Sequence, residues 1–245
     1  MHRFFLLLFL LILTSCQTQM LVMGRAPIPA DSFAYIEATL HIEVCTESSG
    51  MSVCVKDSFK SSGSGISIGT FRNHGSIVLT AGHVCEIDEA TLPTGLAKHY
   101  LTFRIFDRYG RPHDAKVINT NYKSPDICAL FVKGAAIKGV KISKQKPKIG
   151  DKIYSMSAPQ GIFHPPAVPI LEGTYSGDAY KDKFSVTTIR AIGGCSGSGI
   201  LNESGELIGI LFATHPAFNS ITLSSTYSAT IDFIHETFAK MGLKE

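Results

Sequence analysis

The chain has 245 residues, 44% of them hydrophobic, which is enough apolar surface for one large domain or two small ones to bury a core unaided. Its formal net charge is +3, and the lysines and arginines are spread along the chain, so nothing in the charge pattern calls for a nucleic-acid partner. The one dense basic run, Lys133, Lys138, Lys141, Lys144, Lys146 and Lys148, reads as a solvated connecting segment.

The N-terminus reads as an export segment. After Arg3 comes an unbroken apolar run from Phe4 to Leu13. Ten helical residues rise only about 15 Å, half the hydrocarbon thickness of a bilayer, so the run suits a signal-peptide core better than a membrane span. Leu13-Thr14-Ser15-Cys16 resembles the bacterial lipobox, in which the cysteine is lipidated and becomes the new N-terminus. Cleavage nearby without lipid, or retention as an uncleaved anchor, are the alternatives. Residues 1–16 are therefore expected to be the signal and lipobox, with Cys16 the lipidation site and the exported chain tethered in the cell envelope or periplasm. Gln17, where aspartate would mark the inner membrane, fits an outer-membrane address. Residues 17–32 carry no strand or helix period and two prolines, and read as a flexible tether.

The body is β-rich. Thirteen short runs dense in Val, Ile, Thr, Phe and Tyr recur between Gly, Asn, Asp and Ser turns, from Ala38–Cys45 and Ser52–Asp57 through Gly65–Phe71 and Ser76–Ala81 to Ser225–Thr230. Such spacing, with no long helical period between the runs, points to barrels or sandwiches. Only the tail differs: from Ala229 onward, Ile231, Ile234, Phe238 and Met241 fall at helical spacing, with Gly242 as a stop. The lysine-rich segment divides the runs into two roughly equal sets. The expectation is an all-β protein of two barrels, residues 33–135 and 149–245, joined by a linker over 136–148 and closed by a C-terminal helix. A cleft between two such units is a usual place for a binding or active site.

Three stretches carry chemistry. In SIVLTAGHVC a β-run leads into a turn holding His83; in YKSPDICALFV a proline turn delivers Asp126 to the head of an apolar strand; in IGGCSGSGIL flexible backbone surrounds Ser196. A hydroxyl nucleophile needs a base to take its proton and a third group to fix the base's tautomer, and Ser, His and Asp fill those roles.

On these residues the chain resembles the trypsin-like (chymotrypsin-fold) serine proteases, nearest the HtrA/Deg-type, viral and phage branches. LTAGHV is similar to the family's block around its histidine, and DICALF to the block around its aspartate, with one extra residue before Ala129. GCSGSGILNESGELIGI is similar to the nucleophile block, GSGISI to the strand before the histidine, and IGDKIYSMSAPQG to the opening of the second barrel. The blocks occur in the family's order, 43 and 70 residues apart. The resemblance implies two six-stranded antiparallel barrels, a triad of His83, Asp126 and Ser196, and an oxyanion hole of backbone N–H groups from Gly194, Cys195 and Ser196. It implies hydrolysis of protein or peptide substrates through an acyl-enzyme, with no cofactor and no metal. A catalytically inactive binding protein of the envelope is the alternative. With the helix at the chain's end, no PDZ-like domain is expected to follow.

Ser196 is preferred to Cys195 as nucleophile because in the related viral enzymes the nucleophilic cysteine precedes a glycine, and here Ser196 precedes Gly197. Cys195 stands where relatives carry Asp or Asn, so no buried ion pair to a newly cut N-terminus is expected. The fold would build the specificity pocket from Arg190, Ile192, Phe212, Ala213 and His215; Arg190 and His215 suit an acidic side chain, Phe212 and Ala213 an apolar one. Cys45 and Cys54 flank a turn-like TESSGMS and are a candidate hairpin disulfide. Cys85 and Cys128 each follow a triad candidate by two residues, either as buried hydrophobes or as a second bridge. His74, His99, His113, His164 and His235 read as surface residues.

Overall fold

The computed structural model describes residues 28–48, 51–71, 74–87, 89, 92, 96–134, 137–179, 184–215 and 218–242. The export segment with Cys16 lies outside the described residues. Of the segment 17–32 read as a tether, residues 28–32 are packed, because they have partners to bury against. Ile28 and Ala30 lie against the core, Ser32 is fully buried, and Arg108 donates to the Asp31 carboxylate at 2.8 Å.

Twelve strands close into two antiparallel barrels. The first holds β1 (Phe33–Ser48), β2 (Met51–Phe71), β3 (Gly75–Thr80), β4 (Leu96–Asp107), β5 (Pro112–Asn121) and β6 (Ile127–Lys133), in the order β1-β2-β3-β6-β5-β4. The second holds β7 (Lys152–Met156), β8 (Ile170–Ala179), β9 (Phe184–Thr187), β10 (Gly199–Leu201), β11 (Leu207–His215) and β12 (Phe218–Ser224), in the order β10-β11-β12-β9-β8-β7. Alternation drives the closure: in β4, Phe103 and Ile105 point into the barrel and are buried, while Thr102 and Arg104 at the alternate positions are exposed.

Each barrel has its own core, Ile36, Val78, Leu130 and Val132 in the first and Ile153, Ile189, Ile200 and Leu211 in the second. A third apolar cluster joins them, with Phe33, Ile66, Leu79 and Ile127 packed in one group with Tyr154, Met156, Leu201 and Ile210. The barrels thus share an apolar seam.

Three runs read from the sequence differ in the fold. Ser52–Asp57 and Gly65–Phe71 are one strand, β2, whose Ser- and Gly-rich middle pairs residue by residue with β1. Ser225–Thr230 is not a strand: Thr226 caps a helix, α2 (Tyr227–Lys240), its side chain accepting from Ala229 N. The twelfth strand is β12, which pairs with β11 and β9 through the polar stretch FNSITLS. Helix α2 packs Phe233 and Ile234 into the seam and reaches β5 of the first barrel, where Asn119 donates to Thr237 Oγ1 at 3.0 Å.

The lysine-rich segment is bound to both barrels rather than merely solvated, Val140 N donating to Ser67 O of the first. Leu207 exchanges main-chain hydrogen bonds with Lys141 and Ser143, Val140 is buried, and Lys141 and Lys146 pair with Glu206 and Asp178. Burial pushes the Asp178 carboxyl up, but hydrogen bonds from Lys146, Ser185 and Tyr175 outweigh it and hold the group below the usual carboxylate range. His113 is also not a surface residue; its side chain is 22% exposed, with Nε2 3.6 Å from Asp107.

Outside the barrel wall, β1 and β2 run on as an arm to the pair Ser48↔Met51, braced by β4 as far as Leu96. A disulfide joins the directly opposed Cys45 and Cys54 near its tip. Among the described residues no helix is long and apolar enough to cross a membrane.

Candidate active site

His83 sits in the short helix α1 (Gly82–Cys85) that follows β3, and Asp126 stands immediately before β6, the neighbour of β3 in the barrel. The pairing of β3 with β6 brings the two strand ends together. One carboxylate then serves two bonds: Asp126 Oδ1 accepts from the His83 main-chain N–H at 2.9 Å, and Oδ2 lies 3.0 Å from His83 Nδ1. A carboxylate accepts only, so Nδ1 carries the proton and Nε2 is left with a lone pair, the form of a general base. The fit is close. A Cβ at Gly82 would stand 2.8 Å from Asp126 Oδ1, which is why glycine precedes the histidine. Asp126 itself takes φ +50, a left-handed conformation that Asp tolerates better than most residues and that turns its carboxylate back toward α1.

Ser196 reaches the same place from the second barrel. Its carbonyl accepts from Ser64 N at 2.8 Å, and a Cβ at Gly63 would meet both that carbonyl and Val84, the residue after His83. Gly197 is wedged against the chain leading to the histidine: a Cβ there would lie 2.0 Å from Thr80 Oγ1 and 2.8 Å from Ala81 N. The structure therefore pairs His83 with Asp126 and ties the main chain of Ser196 and Gly197 to β2 and to the turn that leads into α1.

The loop around Ser196 turns its four consecutive carbonyls away from the cleft. Gly193 O accepts from Gln160 N at 2.6 Å and Gly194 O from Ser64 Oγ at 2.8 Å. Cys195 O accepts from Ser198 N and Oγ at 3.1 and 2.7 Å, and Ser196 O from Ser64 N. In a planar trans peptide the N–H points opposite to the preceding C=O. With Gly193 O and Cys195 O held, the N–H groups of Gly194 and Ser196 face the other way, and neither has an acceptor among the described residues. Two free donors beside a hydroxyl are what a developing oxyanion requires.

Cys195, expected as a third donor, is not one. Its N–H closes a turn onto Ile192 O at 3.0 Å. Nor is its side chain placed for attack: the residue is fully buried, and burial pushes the thiol up despite hydrogen bonds from Ile192 and Ser157. Gly194 adopts φ +87, and a Cβ on it would stand 2.4 Å from Ala158 O, so only glycine fits.

Of the specificity residues, Arg190 and Ile192 are exposed on the segment between β9 and the loop, and Phe212 and Ala213 are half-buried on β11. Both segments are tied to the loop, the first by the Cys195–Ile192 bond and the second by Gly197 N to Leu211 O at 2.7 Å and Leu211 N to Ser198 O at 2.9 Å. The side chain of His215 lies outside the described residues. A second disulfide joins Cys85 to Cys128. Sequence reasoning missed Ser64, Gln160 and Ser198 as loop supports; the close-set glycines on either side of Ser64 were the signal for Ser64, and Gln160 and Ser198 gave none.

Residues 63–210 match the trypsin-like peptidase domain family, a span of more than half the chain that contains His83, Asp126 and Ser196. No curated protein matches the sequence significantly. Among solved structures, a serine endoprotease from Yersinia pestis is 18% identical, with a TM-score of 0.60 over 88% of this chain and 64% of that one. The HtrA-type protease AlgW with a decapeptide is 18% identical, with a TM-score of 0.63 over 88% of this chain and 66% of that one. An inactive form of Rv3671c from M. tuberculosis is 15% identical, with a TM-score of 0.58 over 86% and 88%. The chain thus spans just under two thirds of the length of the first two, and shares their two-barrel fold.

Proposed function

Because the chain belongs to the trypsin-like peptidase domain family, we propose that it is a serine endopeptidase with Ser196 as nucleophile, His83 as general base and Asp126 as the group that orients the base. His83 Nε2 takes the Ser196 hydroxyl proton as Oγ attacks the scissile carbonyl. The carbonyl oxygen gains the negative charge and is held by the N–H groups of Gly194 and Ser196. His83 then gives its proton to the leaving amine, which departs and leaves an acyl ester on Ser196. Water, deprotonated by His83, attacks the ester carbonyl; as the acyl–Oγ bond breaks and the carboxylic acid leaves, His83 returns the proton to Oγ.

The observation that carries this reading is the loop with four consecutive carbonyls engaged and two N–H groups that have no acceptor among the described residues. A binding protein that kept only the barrels has no use for that arrangement. Substrates are extended protein or peptide segments, with Arg190, Ile192, Phe212, Ala213 and His215 as the pocket. The test is treatment of purified protein with a fluorophosphonate, followed by mapping of the adduct and a peptide-library digest. One adduct on Ser196 is expected, together with cleavage whose preference for acidic or apolar residues reads out the pocket. No adduct, or an adduct elsewhere, would end the proposal.

The protein is further proposed to act outside the cytoplasm, tethered to a membrane through a lipidated Cys16. The N-terminal sequence supports this, as do two disulfides, which persist in oxidising compartments. Intact mass of the chain purified from an expressing bacterium is expected to correspond to a start at Cys16 with acyl groups added. An unacylated start elsewhere would remove the anchor.

A further inference from the structure

Ser64 lies on β2 between Gly63 and Gly65 and is fully buried. Its hydroxyl donates to Gly194 O at 2.8 Å and accepts from Ala158 N at 2.8 Å. Its main chain is held as well, N–H to Ser196 O and carbonyl from Thr80 Oγ1, both at 2.8 Å. One hydroxyl of the first barrel therefore ties together two loops of the second: the turn around Ser196 and the loop after β7.

We propose that Ser64 is a positioning residue that holds the oxyanion pocket in its working shape, an inference that rests on the serine peptidase reading above. The two bonds of the hydroxyl act on the pocket by different routes. Gly194 O is held directly, and Gly194, a glycine at φ +87, has no side chain of its own to fix its peptide. Ala158 N anchors the tight turn that leads to Gln160, whose N–H holds Gly193 O. If that turn slackens, the Gly193 carbonyl is free to swing into the cleft, and the planar peptide carries the Gly194 N–H out of it.

Without the hydroxyl, a part-buried carbonyl and a buried N–H lose their partner together. Both must find new ones by moving, because buried polar groups are rarely left unpaired. The Ser64 main chain stays, so Ser196 remains attached to β2. The nucleophile keeps its place while the donors lose theirs.

The test uses the whole exported chain, with p-nitrophenyl acetate as substrate and phenylboronic acid as a probe whose tetrahedral adduct on Ser196 sets an oxygen among the same donors. Ser64→Ala is expected to lower kcat roughly 10- to 100-fold, short of the 10²–10³ lost with a whole oxyanion donor. KM should stay within about twofold of wild type, and affinity for the boronate should fall by the factor seen in kcat, as an interaction made only in the transition state requires. Thermal melting identifies a folded variant; should Ser64→Ala not fold, Ser64→Cys, with a weaker donor in the same place, should show the same split at smaller size. Unchanged kcat and boronate affinity in a folded variant, or a rise in KM alone, would overturn the role of Ser64. A wild-type protein that neither hydrolyses the ester nor takes up a fluorophosphonate would instead overturn the peptidase reading.

Discussion

Alanine at Ser196 is expected to lower the hydrolytic rate by about 10⁴- to 10⁶-fold, and adding His83→Ala to it should lower the rate no further. In the proposed mechanism the two side chains act in one proton transfer, so once either is gone the other has nothing to do. What survives is the contribution of the Gly194 and Ser196 donors and of substrate binding, about 10³-fold over water in enzymes of this chemistry. Asp126→Asn should cost about 10⁴-fold for a separate reason. Asp126 uses one oxygen for the His83 main-chain N–H and the other for the ring. Asparagine has a single acceptor oxygen; if the main chain keeps it, the amide NH₂ faces Nδ1 and drives the ring proton onto Nε2, where the base must be free. The measurement is ester hydrolysis by each single variant and the double variant at matched, melt-verified folding. Additive losses for Ser196 and His83, or a rate within tenfold of wild type for any of the three, would dissolve the triad.

Much of the architecture was visible in strand periodicity, and the limits of that visibility have physical causes. Gly63 and Gly65 inside SFKSSGSGI resemble turn signals, yet they are there because neighbouring groups come close: a Cβ at Gly63 would press on Val84 and the Ser196 carbonyl, and one at Gly65 on Val78 and Ile36. Glycine within a strand marks close approach as readily as a break. β12 escaped notice because its inward residues are Thr222 and Ser224, both buried, with the Thr222 hydroxyl satisfied by Thr187 rather than by water. Thr226 and its neighbours read as strand formers, but the threonine is there for its oxygen, as a cap.

The same distinction separates the parts of the site. In the proposed mechanism His83, Asp126 and Ser196 act through side chains set in local patterns, so they can be singled out from short stretches of sequence. The proposed donors would act through main chain, whose direction depends on partners far away: Gly194 O is held by Ser64, 130 residues earlier. No local pattern carries that information. It also explains why Cys195 was grouped with the donors, since adjacency in sequence does not say which way each peptide faces.

Breaking the Cys85–Cys128 bridge, by Ala at both positions or by reductant, is expected to destabilise the fold and weaken catalysis together. The bridge spans a sequence separation of 43, for which loop-closure entropy gives about 4 kcal/mol. That corresponds to a fall in Tm of roughly 8–16 °C for a chain of this size. The catalytic effect follows from position. Cys85 ends α1, two residues after His83, and Cys128 lies in β6, two residues after Asp126, so the covalent link runs parallel to the 3.0 Å contact between them. Both cysteines are buried in the first barrel's core, 7% and 0% exposed, and removing their sulfurs also loosens the packing that seats α1. The arm provides the control. Cys45–Cys54 spans a separation of only 9 near the tip of an exposed hairpin, worth about 2.5 kcal/mol on the same estimate, and touches no part of the site. Its removal should leave kcat unchanged. Melting curves and ester hydrolysis of the two double-alanine variants, each with and without reductant, separate the cases. If both variants lose activity alike, or if Cys85→Ala/Cys128→Ala melts within 2 °C of wild type, the bridge does not brace the His83–Asp126 pair, and that pair is held by the two bonds of the carboxylate alone.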